Sequence, residues 1–572
     1  MMNKKVLICC NAYPPYFIGG AELVAHAQAK QLINLGYEVC IFSGDPSGSN
    51  KRHSFRREDY DGLSIYRVSL THEDYDFNYV NFVNQAVEKH FIKLIQKFSP
   101  DIVHFHNIIG LSVGLIHIAK QYGAKTVLTL HDHWGFCFKN TLINNSNNIC
   151  KNFNHCIECM ETIQGERNEN IPLRMRQDFI ALQFEEIDAF ISPSQYLADT
   201  YIHAGIPPKK MNVIWNGVDI ENYSQITKIP DPTHIRFTFI GYFGRHKGIH
   251  ILLDALDYLE NKERILVNLI GNGDLFNQCV EEVKNKNLEQ VVKFWGKIEN
   301  IEGGYAQTDV FILPSIWPEN QPVTITEAMA AEIPVIASKS GGNLELVEHG
   351  KTGYLFETGN ARDLAKFMSE FIKKPELIRF FGENAFEKIK TDSLKNQVQE
   401  IVDLYGRIQE PTNDYFDKGI IIVCHGKHID SICADVVKRF QKNINSNRIY
   451  FILSEWLSDD QIRNGKLFWI VDESESLEDG FSGLNSNLPL LVPEKVKPLR
   501  SFCIQYNCGL FYQNRLEASC IIEYLLNNDD ERIIMGQNGS KAYNSSFSKI
   551  YDKKRRLWHV LKFYLKQTGL IN

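Results

Sequence analysis

The stretch Pro314-Ser-Ile-Trp-Pro-Glu-Asn-Gln-Pro-Val-Thr-Ile-Thr-Glu-Ala-Met-Ala330 decides the reading of this chain. It follows Val310–Leu313, an apolar run of strand length, and a helix is predicted from about Pro322 onward. Glu319 then lies just before the helix N-terminus and Glu327 inside the helix. At 1.5 Å per residue the two acids stand up to about 12 Å apart, which suits two ends of an extended ligand better than a shared carboxylate pair. The helix start between them, with Val323 in its first turn, would favour phosphate groups. Either glutamate alone reads more simply as a surface acid on an amphipathic helix. The following Ser340-Gly-Gly-Asn-Leu-Glu345 adds a second glycine-rich helix start.

Outward from this block, strands are predicted at Phe237–Ile240, Val267–Ile270, Val292–Phe294, Val310–Leu313, Pro334–Ala337 and Tyr354–Phe356, with helical stretches between them. They make an α/β domain over 206–385, with further helices at 386–408. Toward the N-terminus the runs Val6–Cys10, Val39–Phe42, Ile102–Phe105, Val127–Leu130 and Ala189–Ile191 lack polar alternation, as strands buried on both faces do. The helix Ala21–Leu35, ending at Gly36, joins the first two into a βαβ unit. Residues 1–205 therefore read as a doubly wound α/β domain.

Ligands of such sheets bind at the carboxyl ends of the strands. Three loops there carry chemistry. Gly19 and Gly20 stand between the first strand and its helix, where backbone approaches a ligand closely and amide groups favour an anion. This is not the Gly-x-Gly-x-x-Gly dinucleotide fingerprint, which argues against a simple dehydrogenase. His131, in Thr129-Leu-His-Asp-His-Trp134, is placed to accept a proton or to hydrogen-bond a sugar hydroxyl; the other reading is a histidine satisfied by local backbone. Arg245 and Lys247, in Phe239-Ile-Gly-Tyr-Phe-Gly-Arg-His-Lys-Gly248, lie where a diphosphate would be clamped and its charge stabilised as it leaves.

Over 1–408 the chain resembles the retaining family-4 glycosyltransferases of GT-B fold. Five ordered motifs carry the resemblance: the Gly19-Gly20 loop, the His131-Asp132 strand end, Trp215-Asn-Gly-Val-Asp219, the Lys247-Gly248 loop, and Glu319-x7-Glu327 with Gly341-Gly342. The resemblance implies two Rossmann-like domains facing a cleft, with final helices, 386–408, crossing back to the first domain. It implies a nucleotide-diphosphate sugar as donor, carrying a hexose-type sugar, and a glycan or lipid-linked acceptor in surface polysaccharide or glycoconjugate synthesis. Lys247 would bind the diphosphate, Glu327 the ribose and Glu319 the transferred sugar, with His131 beside the reacting centre. No nucleophile role follows for Glu319, and no cofactor or catalytic metal is needed. The Asp-x-Asp strings at Asp59–Asp61 and Asp74–Asp76 are then surface carboxylates. Tyr242 departs from the pattern, since many members carry Arg there, and Asn320-Gln-Pro replaces the commoner Gly-Phe-Gly. Two other readings keep the same motifs: a nucleotide-sugar epimerase, or a non-catalytic partner subunit of another transferase.

Cys137, Cys150, Cys156 and Cys159 form a C-x12-C-x5-C-x2-C pattern that reads either as a structural zinc site or as reduced thiols. After a linker at 409–414, residues 415–572 weakly repeat the second domain. Leu488-Pro-Leu-Leu-Val-Pro echoes Ile333-Pro-Val-Ile-Ala-Ser, and Cys508-Gly-Leu-Phe-Tyr echoes Thr352-Gly-Tyr-Leu-Phe, at offsets of 155 and 156 residues. Glu327 falls near Ser482 at that offset, so this third α/β domain reads as a degenerate, non-catalytic copy. The tail 549–566 mixes Lys553, Lys554, Arg555, Arg556 and Lys562 with Trp558, Phe563 and Tyr564, which suits either an anionic membrane surface or packing on the last domain. A net charge of −7 argues against nucleic acid as partner. Val6–Cys10 is too short for a signal peptide's apolar region, and no apolar run approaches the ~20 residues of a spanning helix. A cytoplasmic protein is expected, with peripheral contact at the inner membrane surface only if the tail takes the first of its two readings.

Overall fold

A computed structural model of the chain describes residues 4–546, apart from 17–18, 49, 76–80, 147, 152, 154–155, 166–169, 299, 409–419, 427–430, 441–448 and 472–479. The basic tail and the 409–414 linker read from the sequence lie outside the described residues. The chain divides into two compact units. The first gathers residues 1–72, 84–153 and 186–412, and the second gathers 73–83, 154–185 and 413–572.

Among the described residues the first unit holds an eight-stranded and a six-stranded sheet. The eight-stranded sheet runs, edge to edge, Met211–Val213, Ala189–Ser192, Lys125–Thr129, Ile102–Phe105, Lys5–Cys10, Glu38–Asp45, Leu63–Ser69, Phe55–Tyr60. Its pairs are parallel except the last, an antiparallel hairpin at the rim. The six-stranded sheet runs Val292–Gly296, Ile265–Ile270, Ile235–Ile240, Val310–Leu313, Val335–Ser338, Gly353–Phe356, all parallel. Parallel strands need both faces covered, and the apolar runs supply this: Val6 to Cys10 and Val310 to Leu313 are buried throughout. Each sheet has its own apolar core.

Two stretches join these sheets. The Val218 backbone bonds across them on both sides, its N donating to Asp392 O and its O accepting from Leu394 N. Any side chain on Gly217 would meet the Leu394 backbone at 2.5 Å, so the close pass needs glycine there. The helix Leu394–Ile408 then returns to the first sheet, where Val398, Ile401, Leu404 and Tyr405 enter the core around Val6, Ile8 and Ile102.

The second unit holds a five-stranded parallel sheet in the order Ile449–Leu453, Ile420–His425, Leu467–Ile470, Leu490–Pro493, Gly509–Tyr512. Residues 73–83 and 154–185, inside the stretch read from the sequence as the first domain, fold here. The cause lies in the helix Leu173–Glu185, which is apolar on more than one side, with Met175, Phe179, Ile180, Leu182 and Phe184 all buried. It lies along the edge strand Ile449–Leu453. Asp178 Oδ2 accepts from Phe451 N at 2.8 Å, and Arg174 donates to Ile449 O at 2.8 Å and to Asp178 Oδ1 at 2.6 Å. Phe82 and Phe179 close on Trp456. Asp74, expected at the surface, is buried in this unit; Asp59 and Asp61 are exposed as expected.

Candidate functional site

The residues singled out in the second domain gather at the carboxyl ends of its central strands. Strand Val310–Leu313 delivers Ser315, Trp317 and Glu319, and strand Ile235–Ile240 delivers the short helical turn Arg245–Lys247. Lys247 Nζ lies 2.7 Å from Glu319 Oε1 and 4.8 Å from the Trp317 ring centre, and the Ser315 hydroxyl donates to the same carboxylate oxygen at 2.5 Å. Glu319 is 4% exposed. Burial alone would push its carboxyl up, but the Lys247 ammonium and the hydrogen bonds from Lys247 and Ser315 outweigh it and hold Glu319 below the usual carboxylate range. Arg245, by contrast, is exposed and makes no ion pair among the described residues.

Glycines hold this arrangement in place. Gly248 is left-handed at φ +69°, and a Cβ there would stand 1.9 Å from Pro314 O, so the Lys247 loop rests directly on the strand end before Glu319. Gly341, at φ +56°, approaches Glu319 in the same way, with a Cβ position 2.1 Å from Glu319 O, and Gly342 N donates to that oxygen at 2.6 Å. The Gly341-Gly342 pair is thus the floor that fixes the Glu319 backbone.

Glu327 sits in the helix Val323–Ala330. Its Oε2 accepts from the Tyr305 hydroxyl at 2.7 Å, and the Tyr223 ring packs edge-on against Tyr305. Burial raises Glu327 above the ordinary range despite the Tyr305 bond. The two glutamates are therefore pushed in opposite directions, Glu319 toward the carboxylate and Glu327 toward easier protonation.

The first domain faces this helix start. A Cβ on Gly20 would lie 3.9 Å from Val323 Cγ2, so the glycine loop and the helix Val323–Ala330 confront each other. Gly20 opens the helix Gly20–Asn34, while the Gly19 amide donates to Glu22 of that helix at 2.8 Å. Arg67, fully buried, anchors the preceding loop by donating to Tyr13 O at 3.0 Å and Pro14 O at 2.6 Å. His131 lies half-buried just past strand Lys125–Thr129. Its carbonyl accepts from Asn320 Nδ2 at 2.8 Å, which ties it to the residue after Glu319. Its ring Nε2 stands 2.9 Å from His106 Nδ1, and burial lowers its pKa to about 4, so it is neutral near pH 7. A further bridge joins the two domains: Glu345 accepts from Gln195 N at 2.9 Å and Tyr196 N at 2.7 Å at the start of the helix Gln195–His203.

Tyr242, where the sequence departs from its resemblance, is 45% exposed and stacks on His246. Cys137 and Cys150 belong to the first unit, Cys156 and Cys159 to the second. Among the described residues no group of three or more His, Cys, Asp or Glu side chains is placed to hold a metal ion, so the zinc expectation gains no site there. No helix of the described residues is long and apolar enough to cross a membrane. Sequence reasoning missed Tyr223, Tyr305, His106 and Glu345. Only His106 left a signal, as a histidine at the carboxyl end of the run Ile102–Phe105.

Residues 18–222 match the family model described as Glycosyltransferase Family 4, and residues 219–388 match Glycosyl transferases group 1. The chain is similar to the N-acetyl-alpha-D-glucosaminyl L-malate synthase of Bacillus anthracis, 25% identical over 417 residues, covering 70% of this chain and 97% of that relative. It is also similar to the amylovoran biosynthesis glycosyltransferase of Erwinia amylovora, 29% identical over 195 residues, covering 32% of this chain and 47% of the relative. Among solved structures, Anabaena HepE in complex with UDP superposes with a TM-score of 0.51 at 18% identity, covering 70% of this chain and 100% of that one, a likeness of fold. The two-domain GT-B architecture implied by the sequence motifs is the fold found here.

Proposed function

From its membership of the family-4, group 1 glycosyltransferases, to which this chain belongs, we infer that it moves a hexose-type sugar from a nucleotide-diphosphate sugar to a glycan or lipid-linked acceptor. Transfer keeps the anomeric configuration and needs no catalytic metal. The observation that carries this reading is the Lys247–Glu319 pair, set beside the helix start that faces Gly20.

When the bond between the sugar's anomeric carbon and the diphosphate breaks, negative charge grows on the departing phosphate oxygens. Lys247 has three N–H groups and can bind phosphate without leaving Glu319. Arg245 adds a second cation from the same turn, and the amides at the start of Val323–Ala330 add their partial positive charge. Glu319, held ionised, would accept hydrogen bonds from hydroxyls of the transferred sugar. Glu327, with Oε2 held by Tyr305, would offer Oε1 to the ribose. His131 lies beside the reacting centre. The UDP bound by Anabaena HepE supports a uridine donor, and the relative in amylovoran biosynthesis supports a role in polysaccharide or glycoconjugate synthesis. With a lipid-linked acceptor, the basic and aromatic residues of 549–566 would meet the anionic surface on which that acceptor sits.

The test is a panel of UDP- and GDP-sugars, with binding, slow donor hydrolysis and products read on wild type and on Glu327→Ala. One donor is expected to bind and hydrolyse, and the variant to bind it at least about tenfold more weakly, the worth of a hydrogen bond to a charged group. Isomerised nucleotide sugar as sole product would make the chain an epimerase. Folded protein that neither binds nor hydrolyses any donor would make it a partner subunit.

A further inference from the structure

His131 is not held by backbone alone. His106, the residue after strand Ile102–Phe105, is 1% exposed, and its ring lies nearly parallel to that of His131 with centres 5.2 Å apart. His106 also stacks on His104, with centres 4.6 Å apart. His104 is tied at both nitrogens, Nδ1 to the Tyr405 hydroxyl at 2.6 Å and Nε2 to Thr129 Oγ1 at 2.7 Å. The pair His106–His131 is thus backed by a ring that cannot turn without losing two hydrogen bonds, one of them to the helix that returns from the second domain.

Burial holds all three imidazoles well below their ordinary pKa, so each is neutral near pH 7 and carries one proton. Across the 2.9 Å contact one ring donates and the other accepts. If His131 donated from Nε2, His106 would carry its own proton on its Nε2. That atom is buried and meets no partner among the described residues. A buried N–H without an acceptor is rarer than an acceptor left without a donor. In the opposite arrangement His106 Nδ1–H donates, its Nε2 bears only a lone pair, and the His131 proton moves to Nδ1. Among the described residues no hydrogen bond uses His131 Nδ1, and this nitrogen is not one of the buried atoms left without a partner.

The geometry points to His106 as a positioning residue that fixes His131 as an Nδ1–H donor toward the cleft. His131 then offers a hydrogen bond to an oxygen of the bound donor and does not take the acceptor's proton. What it meets in the cleft rests on the function proposed above; the tautomer is a property of the free protein and is tested apart from it.

The protein is labelled with 15N-histidine and both ring nitrogens of His131 are read in long-range 1H–15N spectra at neutral pH, assigned by their loss in His131→Gln. Nδ1 is expected to be protonated and Nε2 bare. In His106→Leu the proton should shift toward Nε2, and kcat should fall roughly five- to tenfold with donor KM nearly unchanged, the scale of one neutral hydrogen bond. His106→Asn, whose amide can donate from near the Nδ1 position, should restore most of both. A wild-type His131 protonated on Nε2 overturns the inference, as does an unchanged kcat in His106→Leu. Should His106→Leu not fold, the wild-type spectrum and the Asn variant decide it. Should no donor be turned over, the function reading fails while the spectrum still stands or falls alone.

Discussion

Lys247→Met removes the one cation that Glu319 touches among the described residues. At 2.7 Å and an effective dielectric of 20, the gross attraction is about 6 kcal/mol, most of it offset by the cost of taking both charges out of water. Breaking a fully buried pair costs roughly 3–5 kcal/mol, but Lys247 keeps some contact with solvent, so about 2–3 kcal/mol is expected here. For a domain of this size that lowers Tm by roughly 4–10 °C. The pH dependence distinguishes this cause from lost packing. In the wild type the Glu319 pKa is depressed, so its contribution is present above the unfolded carboxylate pKa and is lost as pH falls through the folded value. In the variant burial is opposed by the Ser315 hydrogen bond without the Lys247 ammonium, so the Glu319 pKa rises from its wild-type value and the stability held by its ionised form is reduced. The Tm difference from wild type should therefore be smaller near pH 4 than near pH 7. Lys247→Met/Glu319→Gln removes both charges and should recover most of the stability while leaving donor turnover absent. Thermal unfolding of wild type, Lys247→Met, Glu319→Gln and the double variant at both pH values measures this. Equal Tm losses at the two pH values, or a double variant as unstable as the two single losses summed, would refute the reasoning.

Gly341→Ala puts a methyl group 2.1 Å from Glu319 O at a left-handed φ, so Glu319 must shift; donor hydrolysis should fall about a hundredfold, as misplacement by an ångström can cause, and an unchanged rate would show that the Gly341-Gly342 floor is slack. Tyr305→Phe leaves the raised Glu327 carboxyl with one donor fewer and should weaken nucleotide binding about threefold to tenfold, measured by calorimetry; no change would mean that Tyr305 does not orient Glu327. Asp178→Ala orphans Phe451 N–H and leaves Arg174 without its carboxylate; about 3 kcal/mol of stability should be lost, seen as faster amide exchange in strand Ile449–Leu453 and not in the first unit.

The parallel strands were legible because burial on both faces writes an apolar run into each of them. All eleven runs read as strands in residues 1–385 lie in or overlap observed strands. The rim of the first sheet was not legible. Phe55-Arg-Arg-Glu-Asp-Tyr60 pairs on one side only and stays half-exposed, so its sequence is mostly charged. Met211–Val213 is simply too short. At the site, each of Lys247, Glu319, Glu327 and His131 was legible singly, from its place at a strand end or helix start. Their relations were not. Lys247 meets Glu319 across 72 positions and His131 meets Asn320 across 189, and contacts at such separations leave no periodicity behind. Gly341 and Gly342 were legible as a second helix start, but their use, letting the Glu319 backbone come close, depends on a neighbour 22 residues away.

The second unit shows why the helix Leu173–Glu185 left the domain that its place in the sequence suggests. In strand order the five-stranded sheet equals the six-stranded one without its outer strand, Val292–Gly296. Val335–Ser338 and Leu490–Pro493 stand 155 positions apart, whereas Ile235–Ile240 and Ile420–His425 stand 185 apart, so the five-stranded sheet spends less chain between its second strand and its third. In the six-stranded sheet the outer strand pairs with Ile265–Ile270. The strand in the matching position, Ile449–Leu453, has no such neighbour among the described residues, and an open parallel edge exposes a row of unpaired backbone groups. Arg174 and Asp178 take up two of them, Ile449 O and Phe451 N, while the apolar sides of the helix bury the strand's side chains. The helix does with side chains what an outer strand would do with backbone. A strand edge finished in this way ties residues 413–572 to a segment more than 260 positions earlier, so the C-terminal region is one fold with 154–185 and not an appendage that begins at the linker.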